Sequence, residues 1–112
     1  MWLVRDDTVL ASAEVAADRR ARRVGLRGRD PIEGVLVIEP CRQVHTLGMR
    51  FPIDVAFCAA DGRVLATTRL RPGRVSKVVW RSRWVVEAEA GTFRSWNLAP
   101  GDQLALRMGV TP

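Results

Sequence analysis

Tyrosine is absent from this chain, and histidine occurs once, at His45, lysine once, at Lys77, and cysteine only at Cys41 and Cys58. Each scarcity removes a class of chemistry. A single imidazole cannot build a His-rich centre, and the two cysteines lack the paired Cys-x-x-Cys spacing of structural zinc sites. A zinc ion on Cys41, His45 and Cys58 can be drawn, as can a cysteine nucleophile with His45 as base, but spacing supports neither. No metal and no cofactor is therefore expected. No apolar run approaches the roughly 20 residues that cross a bilayer, which excludes a transmembrane helix. A Ser-centred elbow, a phosphate loop and a dinucleotide fingerprint are also missing. The start, Met1-Trp2-Leu3-Val4-Arg5-Asp6-Asp7, meets two acids after its apolar residues and lacks the regions of a secretory signal. A cytoplasmic location is expected, with both thiols reduced and packed as small apolar groups.

What remains is an ordinary globular composition, 47% apolar and 27% charged over 112 residues. That length fits one domain, residues 1–112, which buries roughly 60–70% of its unfolded surface without help from a disulfide or a metal. The net charge of +6 is carried almost wholly by arginine. Arginines cluster at Arg19, Arg20, Arg22, Arg23, Arg27 and Arg29, and again at Arg69, Arg71, Arg74, Arg81 and Arg83 around Lys77. Arginine interleaved with Trp80, Trp84 and Trp96 is the composition of a single-stranded nucleic-acid surface, phosphates neutralised and bases stacked. Against this, Trp84 opens an alternating apolar run and is expected in the core, while arginine on solvent faces keeps a small domain soluble.

Turn signals arrive at intervals that suggest many short strands. Trp2–Arg5 and residues 9–15 flank Asp6-Asp7, a hairpin turn without the usual glycine. Asp18 is placed to cap a short helix that Gly25 or Gly28 ends. Gly34-Val35-Leu36-Val37-Ile38, closed by Pro40, is apolar on both faces, as a strand in the middle of a sandwich is. Ile53–Cys58 puts Ile53, Val55 and Phe57 on one face and Asp54, Ala56 and Cys58 on the other. Asp61-Gly62 turns into a strand over residues 63–70, and Pro72-Gly73 turns again. Trp84, Val86 and Ala88 alternate with Glu87 and Glu89, which are expected on an exposed face, until Gly91. A short helix over Thr92–Trp96 and a Pro100-Gly101-Asp102 turn lead to a last strand with Leu104, Leu106 and Met108 inward. The expected core is Leu36, Ile38, Ile53, Val55, Phe57, Val86, Leu104 and Leu106.

With these elements aligned, the chain resembles a widespread prokaryotic family, domain of unknown function 192, over residues 9–106. The resemblance rests on Arg23-Val24-Gly25-Leu26-Arg27-Gly28-Arg29, Gly34-Val35-Leu36-Val37-Ile38, the segment from His45 to Val55, Asp61-Gly62-Arg63-Val64, Glu87-Ala88-Glu89-Ala90-Gly91 and Gly101-Asp102. Many members carry Trp-Met-Lys-Asn-Thr before a Pro-Leu-Asp element; this chain has His45-Thr46-Leu47-Gly48-Met49 there, like a second subgroup, so no role of that lysine carries over. The resemblance implies a compact, mainly β fold, a jelly-roll-like sandwich or small barrel of short strands with one or two short helices, and no established reaction.

The stretch from His45 to Asp54 concentrates the unusual chemistry. His45 is the one imidazole of the chain, so proton transfer would begin with it. Asp54, set just after Pro52, is placed either to hydrogen-bond the imidazole or to accept backbone amides, the second being the commoner use of a short carboxylate near a turn. Arg50 can clamp an anion, Gly48 permits close backbone approach and Gln43 offers an amide. The candidate ligand pocket is thus His45, Asp54, Arg50, Gly48 and Gln43, with His45 and Asp54 expected side by side at one end of the β structure. Three readings of function follow. The first is a non-enzymatic binding or accessory module holding a small polar or anionic ligand, or a protein partner, near residues 42–54. An enzyme acting through His45 and Asp54 comes second. The third is a nucleic-acid-binding domain using its arginines and tryptophans, weak and salt-sensitive rather than sequence-specific.

Overall fold

Turn residues cut the chain where the sequence places them, and the segments between are strands. The computed structural model describes residues 1–16 and 33–109. The Asp18 cap, Gly25, Gly28 and the arginine cluster of residues 19–29 lie outside the described residues. Strands β1 (Trp2–Arg5) and β2 (Thr8–Ala16) form a hairpin in which Asp6 takes the positive φ, 54°, that a glycine would usually supply. Short polar side chains tolerate that region better than others. There follow β3 (Val35–Ile38), β4 (Ile53–Cys58), β5 (Val64–Leu70), β6 (Trp84–Glu89), the short helix α1 (Thr92–Trp96) and β7 (Leu104–Arg107). The Asp61-Gly62 turn requires its glycine, because Gly62 has φ +92° and an added Cβ would collide with the Leu104 carbonyl oxygen.

The strands make one mixed seven-stranded sheet in the order β5-β4-β6-β3-β2-β1-β7. Every pairing is antiparallel except β2 with β3. The length of β2 accounts for the order: its first half pairs with β1 and its second half, Ala13 to Ala16, with β3. An isolated bridge between Arg63 and Gln103 brings the two sheet edges together at one point, but the sheet is not closed into a barrel. The expectation of a mainly β fold with a short helix holds, and its barrel variant does not.

Two apolar clusters cover opposite faces of the central strands. One gathers Leu36, Ile38, Ile53, Val55, Phe57, Leu70 and Val85 with Val44, Met49 and Phe51 from the loop that precedes β4. The other gathers Val35, Val37, Ala56, Cys58, Trp84, Val86 and Ala88 with Leu3, Leu104 and Phe93. With both faces covered, β3 and β4 are buried throughout and β6 is buried up to Ala88. Seven of the eight expected core residues are buried; Leu106 is half-buried. Met108 is a correction, since β7 ends at Arg107 and leaves its side chain exposed.

Glu87 is the larger correction. It is 3% exposed, not on a solvent face. Its register partners are Leu36 on β3 and Val55 on β4, both in the first cluster, so strand alternation aims its carboxyl into apolar surroundings. It makes no ion pair among the described residues. Burial pushes its pKa up from 4.5 to about 7. Period-two alternation identified two faces, but one solvated face cannot be assumed for a strand in the middle of a sheet.

Candidate functional site

Asp54 enters β4 between Arg69 of β5 and Ala88 of β6. Its alternation with Ala56 and Cys58 turns its carboxylate toward the face that α1 covers. There Oδ1 accepts from Arg69 Nε at 3.0 Å, while Oδ2 accepts from the backbone amides of Gly91 at 2.9 Å and Phe93 at 3.1 Å. Gly91, at the N-terminus of α1, has no side chain with which to satisfy those amides, and a carboxylate from a distant strand does it instead. Asp54 also borders an open depression of about 390 Å³ with Thr67, Thr68, Arg69, Phe93 and Arg94. Asp54→Ala is expected to cost about 2–3 kcal/mol in urea melts, because the buried Phe93 amide and the part-buried Gly91 amide lose their acceptor. Asp54→Asn, which keeps an acceptor oxygen, is expected to lose less. Equal and negligible losses would contradict a latching role.

The other pocket candidates lie on the opposite face. Residues 42–48 run beside residues 73–79 as a short irregular ladder: Ser76 N donates to Val44 O at 2.8 Å, Thr46 N to Arg74 O at 2.8 Å and Val79 N to Arg42 O at 2.8 Å. His45 bridges Val75 in the same ladder. Fully buried Thr46 ties the turn after β5: its hydroxyl donates to Arg71 O at 2.6 Å and accepts from Arg74 N at 2.8 Å. Gln43 Nε2 is spent on Ser76 O at 3.0 Å, and Gly48 has φ +79° in the turn that follows. Val44, Met49 and Phe51 anchor the segment in the core, while Gln43, His45, Leu47, Gly48 and Arg50 are exposed.

The structure therefore brings Gln43, His45, Gly48 and Arg50 onto one surface segment and places Asp54 elsewhere. His45 Nδ1 accepts from Leu47 N at 3.3 Å, and the Asp54 carboxylate is filled by Arg69 and two amides, so the expected His45–Asp54 hydrogen bond is not formed. Of the two roles open to Asp54, it takes the amide-accepting one. A cysteine nucleophile finds no footing at Cys58, whose thiol is pushed up to about 12 by burial. Both cysteines are free thiols.

Sequence reasoning missed the partner of the 42–48 segment. Residues 71–83 place Arg71, Arg74, Val75, Lys77, Trp80, Arg81 and Arg83 in solvent, with Val75 59% and Trp80 76% exposed. The arginines and Trp80 are visible in sequence, but the pairing of their segment with residues 42–46 is not.

The architecture is that of a small, mainly β protein built on one open mixed sheet. The chain belongs to the DUF192 family, described as Uncharacterized ACR, whose model matches residues 2–106. Two solved structures share the fold. A protein of unknown function from Novosphingobium aromaticivorans superposes with TM-score 0.81 at 17% identity, over 94% of this chain and 82% of that one. A protein from Sinorhizobium meliloti, proposed to be a transcription regulator, superposes with TM-score 0.76 at 24% identity, over 93% and 89%. Among curated proteins none matches. No helix among the described residues is long and apolar enough to cross a membrane.

Proposed function

We propose that the protein is a small non-enzymatic binding module, one domain working in the cytoplasm, that holds an anionic partner against the face formed by residues 42–50 and 71–83. The observation that carries this reading is charge without countercharge. Arg71, Arg74, Lys77, Arg81 and Arg83 are exposed on that face, and no Asp or Glu occurs between Asp61 and Glu87. None of these five side chains enters an ion pair among the described residues. Clustered like charges raise the local potential and concentrate anions from solution. Catalysis through His45 and Asp54 is disfavoured, since the carboxylate that would orient the imidazole is already filled.

Retention on a heparin column tests the reading. Arg74→Glu/Arg81→Glu is expected to elute at clearly lower salt than Arg94→Glu/Arg107→Glu, which changes net charge equally at other places. Coincident elution of the two double variants would mean that only total charge matters and would remove the site.

A further inference from the structure

We infer that the anionic partner is single-stranded nucleic acid, bound with a base stacked on Trp80 and its phosphates along Arg71, Arg74, Lys77, Arg81 and Arg83. The inference rests on the binding reading above and adds to it the class of partner. Trp80 is the starting point. Trp84 is in the core, Trp96 stacks on Phe93 with ring centroids 5.7 Å apart, and Trp2 donates Nε1–H to Gly109 O at 3.3 Å. Trp80 alone of the four is left 76% in solvent. The turn that carries it is nevertheless fixed. Ser82 N donates to Val79 O at 2.9 Å to close the turn, Ser82 Oγ donates to Cys41 O at 2.8 Å, and Arg83 N donates to Cys58 O at 2.8 Å. Val79, on the near side of the turn, packs against the core. An exposed indole on a pinned turn offers its ring at a set place on the surface, and stacking there does not depend on base sequence.

The cations follow one another along this exposed segment. Val79 and Ser76 pair with Arg42 and Val44, which keeps this stretch near-extended. At a rise of about 3.3 Å per residue, the stretch from Arg74 to Val79 covers roughly 16 Å, room for a few nucleotides, and the turn at its end carries Trp80 and Arg81. The exposed apolar residues Leu47, Val75 and Trp80 are strung along the same ladder. A membrane-inserting surface gathers its apolar side chains on one continuous buried face instead. Stacking on Trp80 needs an unpaired base, which favours a single strand over a duplex.

Fluorescence anisotropy with a labelled oligothymidylate of about twelve nucleotides tests the inference in the full chain. Trp80→Ala is expected to weaken binding about 5- to 100-fold while leaving heparin elution and melting temperature unchanged. Lys77→Ala is expected to weaken binding modestly and to lower the slope of log affinity against log salt by about 0.7. Unchanged oligothymidylate affinity in Trp80→Ala would overturn the inference, and so would equal or tighter binding of a duplex of the same length. Capture by phosphatidylserine vesicles without oligothymidylate binding would overturn it in favour of a membrane surface. In each of these cases the heparin comparison of the charge-reversed variants still decides the broader anion-binding reading separately.

Discussion

Replacing Phe57 by alanine is expected to cost about 3–5 kcal/mol, the range for emptying a buried aromatic site. Phe57 is 2% exposed and ranks first by size among the fully buried side chains of the described residues. It is opposed by Ala66 on β5 and Val85 on β6, so the sheet itself fixes the walls of the space that truncation would open. A backbone hydrogen-bonded on both sides cannot collapse into such a void, which places the loss toward the upper part of the range. Urea melts of parent and variant give the difference directly. A loss under about 1 kcal/mol would show that the ring does not fill the space between β5, β6 and the overlying loop.

Glu87→Gln is expected to stabilise the protein above neutrality and to remove a pH dependence. The carboxyl has a pKa of about 7 in the fold against an ordinary 4.5, because burial penalises its charged form. The folded protein therefore keeps a proton that the unfolded chain releases. Stability from this group is complete below about pH 4.5 and declines as pH rises to about 7, where the folded state also ionises. The decline amounts to about 3 kcal/mol, an order-of-magnitude figure. Glutamine has no proton to lose. The difference in stability between variant and parent should grow from near zero at low pH to its full value above pH 7 and stay level beyond it. A difference independent of pH across that window, measured by urea melts at closely spaced pH values, would mean that Glu87 is ionised in the fold and has its charge satisfied.

These two residues mark what sequence can reveal and what it cannot. Phe57 is legible because alternation along Ile53, Val55 and Phe57 is a local signal and all three side chains are apolar. Glu87 was misplaced by the same rule, which names two faces of β6 without saying that a loop forty residues upstream covers the second. The turns were legible where chemistry demands a residue type, at Asp61-Gly62, Pro72-Gly73 and Pro100-Gly101, and so was α1. The parallel pairing of β2 with β3 was not, since register between distant segments is set by tertiary packing. The candidate site followed the same division. His45, Gln43, Gly48 and Arg50 were found together because they are neighbours in the chain. Asp54 is equally close in the chain, but strand alternation carries it to the far side of the sheet, onto Arg69 and the start of α1. Trp80 and its arginines, by contrast, are neighbours of His45 only through the ladder that Thr46 and Ser76 fasten.

Whether the working face is that ladder or the depression beside Asp54 is decided most directly by backbone amide NMR during titration with a short heparin fragment. Shifts are expected to be confined to residues 42–48 and 71–83, led by the amides around Arg74 and Trp80. Shifts centred instead on Thr67, Thr68, Arg69 and Arg94 would contradict it and move the site to the opposite face of the sheet.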